Sequence, residues 1–341
     1  MPSLSAHVAS MRIAVLFGGD SEERDVSIAS AAEIIPALRS RGHSVRAVDT
    51  LTGALALDAE KRVLGGMVGV EPPAGAALAA MRQRGSALRL PREIGESDLV
   101  FLALHGGSGD DGRLQALLEL AGIPYTGSGP LGSGLAMDKH VSKTLLRANG
   151  IATPDWLLAP TGGSEAQAEL ELPVVVKPTR QGSTVGLPLV RVASELTPAI
   201  ARAARYGPVM IERFVAGREL TVGVLGGDAL AIGEVHLDAQ SVFSYSDKYQ
   251  AGAMRASFPA LLDDAARREV EQMAVQAHRI HQLEGNSLSD LRLDVAGQPW
   301  LIEVNRLPGT TATSLLPQSA AAAGVDFASL CERIARLGVA R

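Results

Sequence analysis

Apolar residues in the first third of the chain come in short continuous runs. Met11 to Phe17 is one such run, interrupted only by Arg12 and stopped by Gly18-Gly19. It suits a strand buried on both faces that feeds a loop and then a helix, expected over about Val26 to Arg41. Val45 to Asp49 and Asp98 to Leu104 read as further strands, and Arg113 to Ala121 as a helix closed by Gly122. Continuous strands alternating with helices predict an open parallel sheet whose ligands gather at the strands' carboxyl ends. Leu51 to Pro91, rich in Gly, Ala and Pro, gives no clear element.

Beyond a glycine-rich stretch, Gly127 to Gly134, that reads as a hinge, the pattern changes. A helix is expected from about Asp138 to Asn149, ending at Gly150. Strands follow at Pro173–Lys177, Val209–Glu212 and Glu219–Leu225, then a helix from Arg267 to Leu283 and a hairpin from Leu291 to Asn305. With 341 residues the chain suits two or three packed units rather than one core. Its 46% hydrophobic and 20% charged residues are the balance of a globular protein. A net charge of −5 leaves no basic stripe for nucleic acid. Cys331 is the only cysteine, which excludes a disulfide framework and a cysteine metal site. No apolar run reaches the ~18 to 20 residues of a membrane span, and Met1 to Ser10 lacks the layout of a secretion signal. A cytoplasmic protein with a loose extension over residues 1–10 is the expectation.

Candidate chemistry is strongest at Arg292-Leu-Asp294 and Glu303-Val-Asn305. A four-residue loop from Ala296 to Pro299 would set Asp294 across from Leu301 and Arg292 across from Glu303. Arg292, Asp294, Glu303 and Asn305 would then share one face. Two carboxylates and an amide oxygen on rigid strands form an oxygen ligand set for Mg²⁺. A solvated face with cross-strand ion pairs is the competing reading. Lys177 at a strand end, followed by a Gly, Ser and Thr loop to Gly186, offers charge and free N–H groups to phosphate, without Walker spacing. The acids of Gly18 to Ser27 complement a helix N-terminus, or face a substrate ammonium. His105, in its own glycine loop, belongs to the same sheet edge as Glu23. Lys248 and Tyr249 fall in a polar, aromatic stretch about the length of a lid.

The motifs GGDSEERDVS (18–27), LALHGGSGDDG (102–112), PYTGSG (124–129), MDKHVSK (137–143), VVVKPTRQGSTVG (174–186), IERFVAGRELTV (211–222), SDKY (246–249), RLDV (292–295) and EVNRLPGTT (303–311) occur in that order. Together they resemble the D-alanine-D-alanine ligases of the ATP-grasp superfamily, over nearly everything from Met11 onward. The resemblance implies an α/β chain with an α+β ATP-binding part: an N-terminal open-sheet domain (11–127), a central subdomain (128–215) and a C-terminal subdomain (216–341) that together clasp ATP. It implies ATP-dependent joining of two D-alanines through an acyl phosphate for peptidoglycan precursors, with ATP as co-substrate, two Mg²⁺ ions (or Mn²⁺) and a homodimer.

By the same resemblance Glu23 holds the first ammonium, with Ser183 and Tyr249 as companions, and His105 lies near the first carboxylate. Lys139, Lys177 and Lys248 match phosphate-binding lysines, Glu212 the acid beside adenine and Glu219 the ribose acid. Asp294, Glu303 and Asn305 match metal ligands, Arg292 the oxyanion stabiliser, and Ser314 with the Gly309 N–H the second-substrate site. The chain departs from the family at Arg306 to Thr310, at Asp290-Leu291, at Gln181 and in a hairpin that looks short before Trp300. Arg306 and Thr310 border the second-substrate site, so a ligase with another second amino acid is the alternative. Tyr249 favours an amine over a hydroxy acid as nucleophile. A non-catalytic nucleotide-binding homologue should have lost a metal ligand or phosphate lysine, and a dehydrogenase would need a dinucleotide fingerprint that Gly18-Gly19 lacks.

Overall fold

The computed structural model describes residues 10–66, 79–80, 83, 90–159, 170–182, 187–236 and 255–340. Their strands form three sheets. The first holds β1 (Arg12–Phe17), β2 (Ser44–Asp49), β3 (Gly53–Ala54) and β4 (Leu99–Leu102) in the order β3-β2-β1-β4. β1 runs parallel to both β2 and β4, in keeping with its buried apolar run from Ile13 to Phe17, and only the two-residue β3 is antiparallel. Helix Arg24–Ser40 buries Ile34, Ile35 and Leu38 against this sheet.

The second sheet is antiparallel, in the order β5 (Trp156–Leu158), β8 (Val209–Arg213), β6 (Val174–Pro178) and β7 (Leu189–Val190). The third joins β9 (Arg218–Leu225), β10 (Asp228–Val235), β11 (Ala256–Ser257), β12 (Asn286–Leu293) and β13 (Pro299–Asn305) in the order β11-β10-β9-β12-β13. Helix Asp264–Ile280 covers it with Val270, Met273, Ala274 and Ala277. Asp263 caps this helix by accepting from Ala265 N and Ala266 N, which starts it earlier than Arg267.

Two further differences from expectation have local causes. The supposed hinge is largely a helix, Pro130–Met137, with proline in its first turn. It packs so closely that a Cβ on Gly132 would lie 2.6 Å from the Gln282 carbonyl oxygen. The final helices, Leu315–Ala322 and Phe327–Val339, return to the first sheet, so Leu316, Ala320, Leu330 and Ile334 share a core with Ile13, Phe17 and Ile34.

Candidate active site

Loops at the carboxyl ends of β1 and β4 close on each other. Ser21 Oγ donates to the His105 carbonyl at 2.6 Å, and Ser27 Oγ to that of Ala103 at 2.6 Å. Glu23 is buried between them, against two glycines: a Cβ on Gly106 or Gly182 would lie 2.5 Å or 2.8 Å from its Oε2. At Gly106 the backbone φ of +68° also favours glycine. His105 Nδ1 lies 3.2 Å from the Leu307 carbonyl, which can only accept, so the proton sits on Nδ1 and Nε2 accepts from Ser30 Oγ at 3.0 Å. Burial pushes the His105 ring below its ordinary pKa, opposed in part by Asp110. The ring is thus a neutral tie between three segments.

Glu23 and His105 line one cavity together with Lys139, Asp290, Glu303, Asn305, Arg306, Gly309 and Ser314. Lys139 Nζ lies 3.0 Å from Glu303 Oε2 and donates to the Gln181 carbonyl at 2.9 Å. Burial opposes its charge, but Glu303, Glu212 and Glu23 outweigh that and hold the ammonium above the ordinary lysine value. Ser314 Oγ accepts from Thr311 N at 3.2 Å and lies against Gly309, where a Cβ would be 3.0 Å away.

A second cavity is lined by Lys177, Glu212, Phe214, Glu219, Arg292 and Ile302, and it shares Asp290 and Glu303 with the first. Lys177 Nζ lies 2.7 Å from Glu212 Oε1, and Lys143 Nζ 2.6 Å from Glu212 Oε2. Lys143 was visible in the MDKHVSK motif but carried no expected role. Burial lowers its pKa to about 8, with Glu212 pulling the other way. The two lysines hold Glu212 ionised below its ordinary value despite burial.

The last hairpin departs from its expected register. Asp290, not Arg292, pairs with Glu303; Arg292 pairs with Trp300 and Leu291 with Leu301. The ladder shifts by one residue between Asp290 and Leu291, a bulge that brings the two carboxylates opposite each other. Pro299 is not in the loop but heads β13 opposite Leu293. Asp294 is correspondingly not at the site. Its Oδ1 accepts from Ala296 N and Gln298 N at 2.9 Å each, and its Oδ2 from Trp300 Nε1 at 2.9 Å, closing the turn. Asp290 instead lines both cavities, accepting from Thr221 Oγ1 at 2.9 Å.

Arg292 also lies elsewhere. Its Nη2 is 3.0 Å from Glu219 Oε2 and its Nη1 donates to the Gly217 carbonyl at 3.2 Å, in the second cavity. The residue two before Asp290 is Leu288, which lines the first cavity opposite Asn305. Ser183, Lys248 and Tyr249 lie outside the described residues.

Models of two family regions match: "D-ala D-ala ligase N-terminus" over residues 12–128 and "D-ala D-ala ligase C-terminus" over residues 145–336. The chain belongs to the D-alanine-D-alanine ligase family. It is 41% identical over 328 residues to the D-alanine-D-alanine ligase of Anaeromyxobacter dehalogenans (strain 2CP-1), covering 95% of each chain. It is 38% identical over 329 residues to that of Synechococcus sp. (strain JA-3-3Ab), covering 95% of this chain and 92% of the other. Among solved structures, the ligase from Bacillus anthracis complexed with ATP superposes with a TM-score of 0.75 at 28% identity, covering 97% of this chain and 98% of that one. The Coxiella burnetii ligase gives 0.77 at 25% identity, covering 98% and 95%. These ligase structures carry the ATP-grasp fold expected here. Among the described residues no helix is long and apolar enough to cross a membrane.

Proposed function

We propose that this family member joins two D-alanines at the expense of ATP, giving D-alanyl-D-alanine, ADP and phosphate for peptidoglycan precursors. The observation that carries this is the shared wall: Asp290 and Glu303 belong both to the cavity of Glu23 and to the cavity of Lys177, Glu212 and Glu219. A carboxylate bound on one side and a terminal phosphate on the other would meet there. Glu23 holds the ammonium of the first D-alanine. Glu212 and Glu219 receive base and ribose, and Lys177 and Lys139 reach the phosphates.

A carboxylate is a poor acyl donor at neutral pH. Its oxygen therefore attacks the γ-phosphorus, ADP leaves, and an acyl phosphate remains. The second amine attacks the acyl carbon, the amide forms as phosphate departs, and the amine gives up a proton. The lysines spread the charge of the transferring phosphoryl group. The oxygen donors of Asp290, Glu303 and Asn305 suit Mg²⁺, which would supply further charge neutralisation when bound. Family membership supports a cytoplasmic homodimer. A second reading, a dipeptide ligase with another second amino acid, is favoured by Arg306, whose guanidinium replaces a small polar residue at that cavity. ADP release with Mg-ATP across single and paired D- and L-amino acids separates the two. Turnover with D-alanine alone supports the first, turnover only with a mixed pair the second, and none with any set overturns both.

A further inference from the structure

Glu23 and the turn beyond Lys177 are carried by different parts of the fold. Glu23 follows β1, whose Ile13, Val15 and Phe17 pack in the core of the first sheet. Residues 179–182 follow β6, whose Val174 and Val176 pack in the separate core of the second sheet. A group bound at Glu23 and a phosphate bound at the lysines react only if these two parts stay in register. A displacement of about 1 Å can cost about a hundredfold in rate.

Each side is fixed locally. Arg24 Nη2 lies 2.5 Å from Oδ2 of buried Asp49, and its Nη1 donates to the Gly19 carbonyl at 3.1 Å. On the other side, residues 179–182 are tied to the start of helix Lys139–Ala148. Lys139 N donates to the Thr179 carbonyl at 2.8 Å, Arg180 Nε to Asp138 Oδ2 at 2.7 Å, and Lys139 Nζ to the Gln181 carbonyl at 2.9 Å. Between the two sides, Gln181 Nε2 donates to Glu22 Oε2 at 3.2 Å, next to the point where Gly182 lies against Glu23. Gln181 therefore holds Lys139 through its carbonyl and the neighbour of Glu23 through its side chain. It is also a position at which the chain departs from its family. An amide suits the place, because it donates to a carboxylate and brings no charge. A carboxylate at 181 would oppose Glu22 in a region that already holds Glu23 and Glu303.

We propose that Gln181 is a positioning residue, whose clasp on Glu22 registers the Lys139 phosphate site against the Glu23 ammonium site. The role rests on the ligase reading above.

Steady-state ADP release is measured against D-alanine at saturating Mg-ATP, and the low-concentration limb gives the KM of the first-bound molecule. Gln181→Glu should raise that KM about tenfold, near the worth of one charge-assisted hydrogen bond, while kcat stays within about threefold. Glu22→Ala removes the acceptor alone and should raise the KM about three- to fivefold; it is the reporter if Gln181→Glu does not fold. Combining Gln181→Glu with Glu22→Gln again sets one amide against one carboxylate, and should return the KM to within about twofold of wild type. Loosening of the fold by itself would not be rescued by a substitution at the facing residue. An unmoved KM in the folded single variants, or a pair as impaired as Gln181→Glu alone, overturns the clasp. Wild-type ADP release with either of those results sinks only this role of Gln181; no ADP release from D-alanine by the wild type sinks the ligase proposal beneath it.

Discussion

Asp290 and Glu303 face each other across β12 and β13 because the ladder slips by one residue just after Asp290. Regular pairing at the register of Arg292 and Trp300 would put Ile302 there instead. The bulge thus assembles a pair of acids at the boundary of two cavities, on strands whose neighbours are buried. Re-aiming a side chain at a site is a recurrent use of such irregularities.

The two aspartates of this hairpin should separate cleanly. Asp290→Asn is expected to lower ADP release by about a hundredfold or more, as for loss of a charge-stabilising group, with melting unchanged. Asp294→Asn should keep turnover and cost about 1 kcal/mol through the weakened turn. Paired measurements of rate and melting decide it, and the opposite pattern would return the site to Asp294.

Arg292→Met tests which cavity that side chain serves. With the guanidinium paired to Glu219, its loss should raise the KM for ATP several-fold and leave kcat within about threefold. A collapse of kcat at saturating ATP would contradict the placement.

Lys143→Met leaves buried Glu212 with Lys177 alone. Breaking a buried pair on one side costs about 3 kcal/mol, here softened by the second lysine, and ATP binding should weaken with it. Chemical denaturation and nucleotide titration read the two effects. A variant as stable as wild type would mean that Lys143 does not compensate Glu212.

The pH dependence of stability has a definite sign. Burial, with Arg279 and His281 adding to it, pushes the His278 ring from 6.5 down to about 4. The folded value is depressed, so the neutral ring's contribution is complete above 6.5 and is lost as pH falls toward 4. His105 and His281 shift the same way through burial. Melting between pH 7 and pH 5 should show stability falling, with His278 alone contributing roughly 1 kcal/mol per unit below 6.5, and His278→Gln should flatten the slope. An equal slope in the variant would count against this assignment.

Much of this was legible in the sequence. Continuous apolar runs marked β1 and β4, and the loops that follow them carry Glu23 and His105 to one cavity. The hairpin register was not, because Leu288, Asp290, Arg292 and Asp294 alternate evenly and a one-residue bulge leaves no trace in that pattern. β10 was overlooked too: Asp228 to Val235 is small and only partly buried in its first half, so it shows neither a continuous run nor clean alternation. Nor did the glycines of 127–134 announce a helix, although Gly132 serves close approach to Gln282 and its neighbours rather than flexibility.

Because the closing helices lie on the opening sheet, the beginning and end of the polypeptide are one mechanical piece, with the β9 to β13 sheet attached. The β5 to β8 sheet keeps an interior of its own, built on Val174, Val176, Leu196 and Ile211. Trimming the last helix should therefore unsettle the first strands before it reaches the interior of that middle sheet.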